Sequence, residues 1–212
     1  MPGTEPVNEP GVNAGKGTAA DDNGDMTIDF GLVPLVSVGS TVFLDDNNNG
    51  VQDSGEDGLD AKGKTVTLEL VDASTGQVVA TTTSAADGSY IFENLLPGDY
   101  FIQFEAPDTA PVSSTTDFDS DDQVDGNDNG TQQDTDGDGL TDGLITSNVF
   151  SLQADTEPTS EPGTNGGKDS VDDNNGDMTI DFGLVRLVSV GSTVFTDDNN
   201  NCLLYTSDAA DE

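Results

Sequence analysis

The 212-residue chain sets 42 acidic side chains against 5 basic ones, for a formal net charge of −37. A field of that sign repels phosphate backbones and anionic lipid, which excludes nucleic acid and membrane surfaces as partners and leaves cations. With no histidine and a single cysteine, zinc centres, histidine-based catalysis, Cys-His nucleophiles and an internal disulfide are excluded as well.

In chain order, the opening MPGTEPVNEP has neither the basic start nor the apolar core of a signal peptide, and no later stretch approaches the roughly 18 apolar residues of a membrane span. Residues 4–49 then recur, without gaps, as residues 156–201: the offset is 152 and 35 of 46 positions are identical. A period of that length suits a whole domain. Residues 1–35 are therefore expected to be the last strand and loop of one repeat, 36–185 a complete domain, and 186–201 the first strand and interrupted loop of a following repeat. Between copies, GLVPLVSVG and GLVRLVSVG leave almost no linker, so neighbouring repeats are expected to abut as partners in a stiff tandem array.

Alternating apolar runs predict about seven strands, at 36–44, 64–72, 77–84, 88–95, 98–106, 148–154 and 178–185. No segment sustains a helical period, so the fold class is all-β, a sandwich without significant helix. Thr75-Gly76 and Asp87-Gly88 suit tight hairpins, and Pro97-Gly98 suits a type II turn with glycine at positive φ. One face of each strand supplies the core: Val66, Leu68, Leu70, Tyr90, Phe92, Tyr100, Ile102, Phe104, Phe150, Leu152, Ile180, Phe182 and Leu184. Phe43, Phe101 and Phe118 are the spare aromatics.

After the first predicted strand, residues 45–56 read DDNNNGVQDSGE and satisfy the calcium-loop pattern D-x-[DN]-x-[DN]-G-x5-E at every specified position. Asp45, Asn47 and Asn49 offer side-chain oxygens at loop positions 1, 3 and 5, and Gly50 permits the sharp turn. Val51 contributes its carbonyl, Asp53 acts at position 9, and Glu56 closes the site with two oxygens. A hard cation needs six to eight oxygens near 2.4 Å, which alternate residues of a tight loop can supply.

The second acidic stretch, residues 117–142, contains D-x-D-x-D-G-x-x-D at Asp134, Asp136, Asp138, Gly139 and Asp142. Position 12 falls on Ile145, so Asp142 or an acid from elsewhere in the loop must complete the shell. Upstream, Asp125, Asn127, Asn129 and Gly130 repeat the spacing with Asp136 twelve positions on, and Asp117, Asp119 and Asp121 alternate too. So many carboxylates in one connection repel one another unless counterions bind. A third patch, DDNNGD at 172–177, lacks the glycine offset and reads equally as supplementary ligand or polar turn. With no disulfide available, calcium is expected to staple the fold.

GSTVFLDDNNNGVQDSGEDGL followed by KTVTLELVDASTGQVVATTTSAADGSYIFENLLPGDYFIQFEAP resembles the B-type repeat domain of serine-aspartate repeat surface proteins, the SdrD B-like domain, a relative of the collagen-adhesin B region. The likeness is close over 39–107 and looser from DFDSDD to DFGLV. It implies a prealbumin-like, immunoglobulin-like β-sandwich that binds Ca2+ at Asp45, Asn47, Asn49, Asp53 and Glu56. It also implies an extracellular stalk whose other domains meet a host, matrix or cell-surface ligand. Related domains carry a Lys-Asn isopeptide bond. Here the first strand has no lysine and the last no asparagine, so none is expected.

Three rival readings differ in what they require. An accessory or carbohydrate-binding module of an extracellular hydrolase needs an exposed aromatic strip, a dockerin-like module needs a helix after each loop, and an enzyme needs a carboxyl of raised pKa in a cleft. Finally, DDNNN continues as GVQDSG at residue 50 but as CLLYTS at residue 202. The abrupt break resembles translation through a sequencing adapter, so residues 202–212 are expected to be non-native.

Overall fold

The structure, a computed structural model, describes residues 27–56, 58–59, 65–114, 126–159 and 174–192. Among these residues there are eleven strands and no helix: β1 (Val36–Leu44), β2 (Thr67–Asp72), β3 (Gln77–Thr83), β4 (Ser89–Leu95), β5 (Gly98–Phe104), β6 (Val112–Ser113), β7 (Gly130–Gln132), β8 (Ile145–Ser147), β9 (Phe150–Leu152), β10 (Gly176–Asp177) and β11 (Phe182–Val185). The seven predicted runs all contain strand. The additional ones are pieces of two or three residues, too short to carry a period of their own.

Two sheets face each other. In the first, β1 pairs antiparallel with β4 on one side and parallel with β10 and then β11 on the other, and β11 pairs in turn with β6. In the second, the order is β3-β2-β5-β8-β7, with β9 also on β5. The parallel β1 and β11 are far apart in sequence, as a parallel pair requires. Their register, Val42 beside Phe182 and Leu44 beside Leu184, brings the two ends of the domain together.

The inward positions read from the alternation are all buried: Val66, Leu68 and Leu70, Tyr90 and Phe92, Tyr100, Ile102 and Phe104, Phe150 and Leu152, and Ile180, Phe182 and Leu184 form one cluster. Phe104 and Phe182 meet edge to face at 5.0 Å, and Tyr90 donates its hydroxyl to the Ile180 carbonyl.

Three expectations need correction. Of the predicted turns only Thr75-Gly76 joins a hairpin, with Gly76 at φ 68° and the Asp72 carboxylate accepting from Ser74 and Thr75. Asp87-Gly88 and Pro97-Gly98 connect strands of different sheets, because β4 pairs with β1 and β3 and β5 pair with β2. Gly98 does not take a positive φ; the nearest left-handed residue is Asn94, within β4. Phe43 is no spare aromatic. It is fully buried, and its ring lies so close to Gly183 that a Cβ there would sit 3.0 Å from it. Phe101 is half-buried, and Phe118 lies outside the described residues.

Candidate metal centre

The first acidic loop leaves β1 at its C-terminal end, held there because the Asp45 N–H donates to the Leu184 carbonyl of β11 (2.9 Å). Asp45 is buried, and its carboxylate organises the turn by accepting from the Asn49 N–H (3.2 Å), the Gly50 N–H (2.8 Å) and the Ser114 hydroxyl (2.5 Å). Asn48 (φ 56°) and Gly50 (φ 81°) take left-handed conformations, which a glycine adopts without steric cost. Asn49 Oδ1 accepts from Val51 N–H (3.0 Å). At the centre, Asp53 Oδ2 receives the side-chain amides of Asn47 (2.8 Å) and Asn49 (2.9 Å), so three of the expected ligands already converge. Glu56 closes the loop by accepting from the N–H groups of Asp46 (2.8 Å) and Asp53 (2.9 Å).

Residues 134–142 repeat this wiring. Asp134 accepts from the Gly137 N–H (2.6 Å) and the Gly139 N–H (3.0 Å), and Asp138 accepts from the Leu140 N–H (2.8 Å). Gly139, at φ 94°, stands where Gly50 stands in the first loop. Asp142 accepts from the N–H (2.8 Å) and hydroxyl (2.6 Å) of Thr135, the second residue of the loop, just as Glu56 accepts from the N–H of Asp46, the second residue of its own. These bonds, the hydroxyl's foremost, lower the Asp142 pKa below the ordinary carboxylate value. Carboxylate oxygens of Asp134, Asp136 and Asp138, all exposed, lie within 4.8 Å of one another. Like charges this close repel one another, and acceptor oxygens on a short loop are what a hard divalent cation takes. The donor sets of both loops therefore fit calcium.

Asn127 and Asn129 are placed elsewhere. Residues 126–128 lie along the first loop: the Gln52 N–H donates to Gly126 O (3.0 Å), the Asp128 N–H donates to Gly50 O (2.8 Å), and Val51 bridges Asn127. Asn129 uses its side-chain oxygen to accept the Asp181 N–H (2.7 Å). Gly130 opens β7 without a positive φ, so 126–130 does not make the glycine turn of the other two loops. Asp117, Asp119, Asp121 and Asp125 lie outside the described residues. Of the third patch, Asp177 is buried in β10 and holds Thr179 through its N–H (2.9 Å) and hydroxyl (2.7 Å), as a structural acceptor.

Sequence reasoning missed Asp128. It is fully buried between the first loop and β11; Oδ1 accepts from the Gly130 N–H (2.8 Å) and Gly183 N–H (3.1 Å), while Oδ2 has no hydrogen-bond partner. Burial pushes its pKa up to about 8; the two N–H groups pull the other way, and the Asp181 and Asp45 carboxylates add to the rise. The only signal in the sequence was one more aspartate within an acidic run.

Comparison with known proteins adds a common theme. The family model described as SdrD B-like domain matches residues 36–149, more than half of the chain. The chain is 50% identical to Colossin-A of Dictyostelium discoideum over 91 residues, covering 42% of this chain and 1% of that protein. It is 45% identical to Serine-aspartate repeat-containing protein I of Staphylococcus saprophyticus over 100 residues, 46% of this chain and 5% of that one. It is 38% identical to the Fibrinogen-binding protein of Staphylococcus epidermidis over 103 residues, 48% and 9% respectively. The chain thus spans less than a tenth of the length of each of these relatives.

Proposed function

Because the chain belongs to the SdrD B-like domain family, we propose that it is a calcium-stabilised spacer from a large secreted or surface-anchored adhesin-like protein. In this reading its repeats stand in tandem and its acidic loops hold Ca2+ as a structural ion. The parent protein lies outside the cell, its neighbours in the chain are further repeats, and other domains meet the host, matrix or cell-surface ligand.

The observation that carries the reading is the shared wiring of 45–56 and 134–142. In each loop the first aspartate accepts from the glycine at position 6, the residue at position 5 accepts from the N–H at position 7, and the closing acid accepts from the N–H at position 2. The first loop is anchored to both ends of the sandwich through Asp45 and Leu184, so an ion there would tie β1, β11 and the 126–128 segment together. Glu56 and Asp142 would close the two shells. Calcium would supply positive charge and a coordination geometry, with the carboxylates of Asp45, Asp53, Glu56, Asp134, Asp136, Asp138 and Asp142 as its ligands.

A ligand that binds the folded state alone adds about 2.7 kcal/mol at a hundred times its dissociation constant. Two such sites add about 5 kcal/mol, and at roughly 2–4 °C per kcal/mol for a domain of this size the melting temperature should rise by about 10–20 °C. Melting the chain in saturating calcium and in chelator tests this, with magnesium as control. Coincident transitions in calcium and chelator would remove the calcium claim. For the accessory-module reading Phe43 is lost as a candidate, since it is buried beneath Gly183 and cannot stack on a sugar.

A further inference from the structure

An asparagine followed by glycine is open to attack on its own side-chain amide by the next backbone nitrogen, because glycine has no Cβ to crowd the approach. The chain has five such steps. Asn49-Gly50, Asn129-Gly130 and Asn175-Gly176 lie among the described residues, whereas Asn23-Gly24 and Asn165-Gly166 lie outside them. The three described steps are held in different ways.

At Asn49 the groups that cyclisation needs are gathered. Oδ1 accepts from the Val51 N–H (3.0 Å), which curls the side chain around the Gly50 peptide and turns Cγ toward the Gly50 nitrogen. That nitrogen donates to Asp45 Oδ2 (2.8 Å), a carboxylate placed to take its proton. The Val51 N–H is also the donor for the charge that collects on Oδ1 when Cγ becomes tetrahedral. On the leaving side, Nδ2 donates to Asp53 Oδ2 (2.9 Å). Asn49 is half-buried, so water can reach it.

Asn129 and Asn175 are held differently. The Gly130 N–H also meets a carboxylate, that of Asp128 (2.8 Å), but Asn129 is itself buried and its Oδ1 accepts from the Asp181 N–H (2.7 Å). Asn175 Oδ1 accepts from the Asp155 N–H (2.8 Å). Both side chains are tied to residues distant in the chain rather than curled around the peptide that follows, so the reacting atoms are not brought together. We propose that Asn49 is a self-modification site, losing its amide to become aspartate or isoaspartate when no cation occupies the loop.

The Gly50 nitrogen bonds to Asn49 Cγ while Asp45 accepts its proton; the Cγ–Nδ2 bond then breaks, and that proton leaves with Nδ2 as ammonia. The five-membered imide left behind takes up one water. Opening at Cγ gives aspartate, and opening at the main-chain carbonyl gives isoaspartate. The net change is one amide and one water to one carboxylic acid and one ammonia. Aspartate at 49 would match Asp138, at the same position of the second loop, whereas isoaspartate lengthens the main chain by one carbon just before the turn at Gly50. One corollary rests on the calcium reading above: a bound ion holds Asn49 Oδ1 as a ligand and slows the attack.

The test incubates the full chain in chelator at mildly alkaline pH and follows each Asn-Gly peptide by mass spectrometry, with isoaspartate identified by enzymatic carboxyl methylation. Asn49 is expected to convert at least about tenfold faster than Asn129 and Asn175. In urea, where only the local sequence remains, the three rates should converge. Asp45→Asn keeps an acceptor for the Gly50 N–H but removes the base, and should slow Asn49 by about tenfold or more with Asn129 and Asn175 unchanged. Asn49 that does not lead in the folded chain, that keeps its lead in urea, or that converts as fast in D45N overturns the proposal. Saturating calcium should slow Asn49 alone. If Asn49 leads in chelator but is indifferent to calcium, the calcium-site reading fails and the modification site stands; no lead in chelator overturns the modification site whatever calcium does.

Discussion

Truncating Phe182 and Phe30 to alanine applies one chemical change to one local sequence in two environments. Phe182 is fully buried, with Phe104 edge-on at 5.0 Å and Tyr90 tilted at 6.1 Å. It also packs against Gly130, where an added Cβ would come within 2.9 Å of the ring, so little space exists for neighbours to relax into. Phenylalanine to alanine in such a core costs about 3–5 kcal/mol. For a domain of this size that lowers the melting temperature by roughly 6–20 °C. Phe30 is exposed and makes no comparable ring contact among the described residues, so F30A should stay within about 0.5 kcal/mol, a shift of no more than about 2 °C. Calorimetry of the two variants beside wild type decides the matter. Equal shifts, or a larger one for F30A, would refute the assignment of 179–185 to the core and of 27–33 to the surface.

Glu56→Gln keeps an acceptor for the Asp46 N–H but removes the negative charge proposed to close the first site; titration calorimetry should show the loss of one calcium site and about half of the calcium-dependent rise in melting temperature. Asp142→Asn should weaken the second loop alone, leaving the first site's affinity within a factor of about two, because separate sites add nearly independently. Asp128 makes stability in chelator depend on pH. Its folded pKa of about 8 exceeds its unfolded value near 3.8, so its contribution is full below pH 4 and is lost as the pH rises through 8. Asp128→Asn should flatten that decline by an amount on the order of a few kcal/mol, measured by urea unfolding at pH 5 and pH 8.5. An unchanged slope would place the Asp128 titration outside that window.

What was legible in the sequence is what strands and loops decide locally. The run VSVGSTVFL bounded β1 to the residue, and the alternation in TVTLELV, YFIQF and TIDFGL picked out side chains that are all buried. The wiring of 45–56 is local as well, since Asp45 reaches only to Asn49 and Gly50 for its turn-forming bonds. Where the reading stopped, the cause was distance in the chain. β6, β7 and β8 are two or three residues long and exist because β11 and β5 offer edges to pair with, and no period can show in so few residues. Asp87-Gly88 has the chemistry of a tight turn and makes one, but turn chemistry does not say which sheet the next strand joins.

Asp128 carries the same lesson into the site. Its neighbours in sequence, Gly126, Asn127, Asn129 and Gly130, gave it the look of another solvated loop acid. Its burial follows from partners far away in the chain, Gly50 on one side and Gly183 on the other. A carboxyl enclosed by backbone, with Asp45 and Asp181 close enough to raise its pKa, is more stable protonated than charged. The segment that stitches the first loop to the last strand thus carries an acid whose pKa burial raises to about 8, in a chain whose charge is otherwise overwhelmingly negative. A cation held by Asp45 and its loop would offset only the smaller, Asp45 part of that rise, because burial is its main cause.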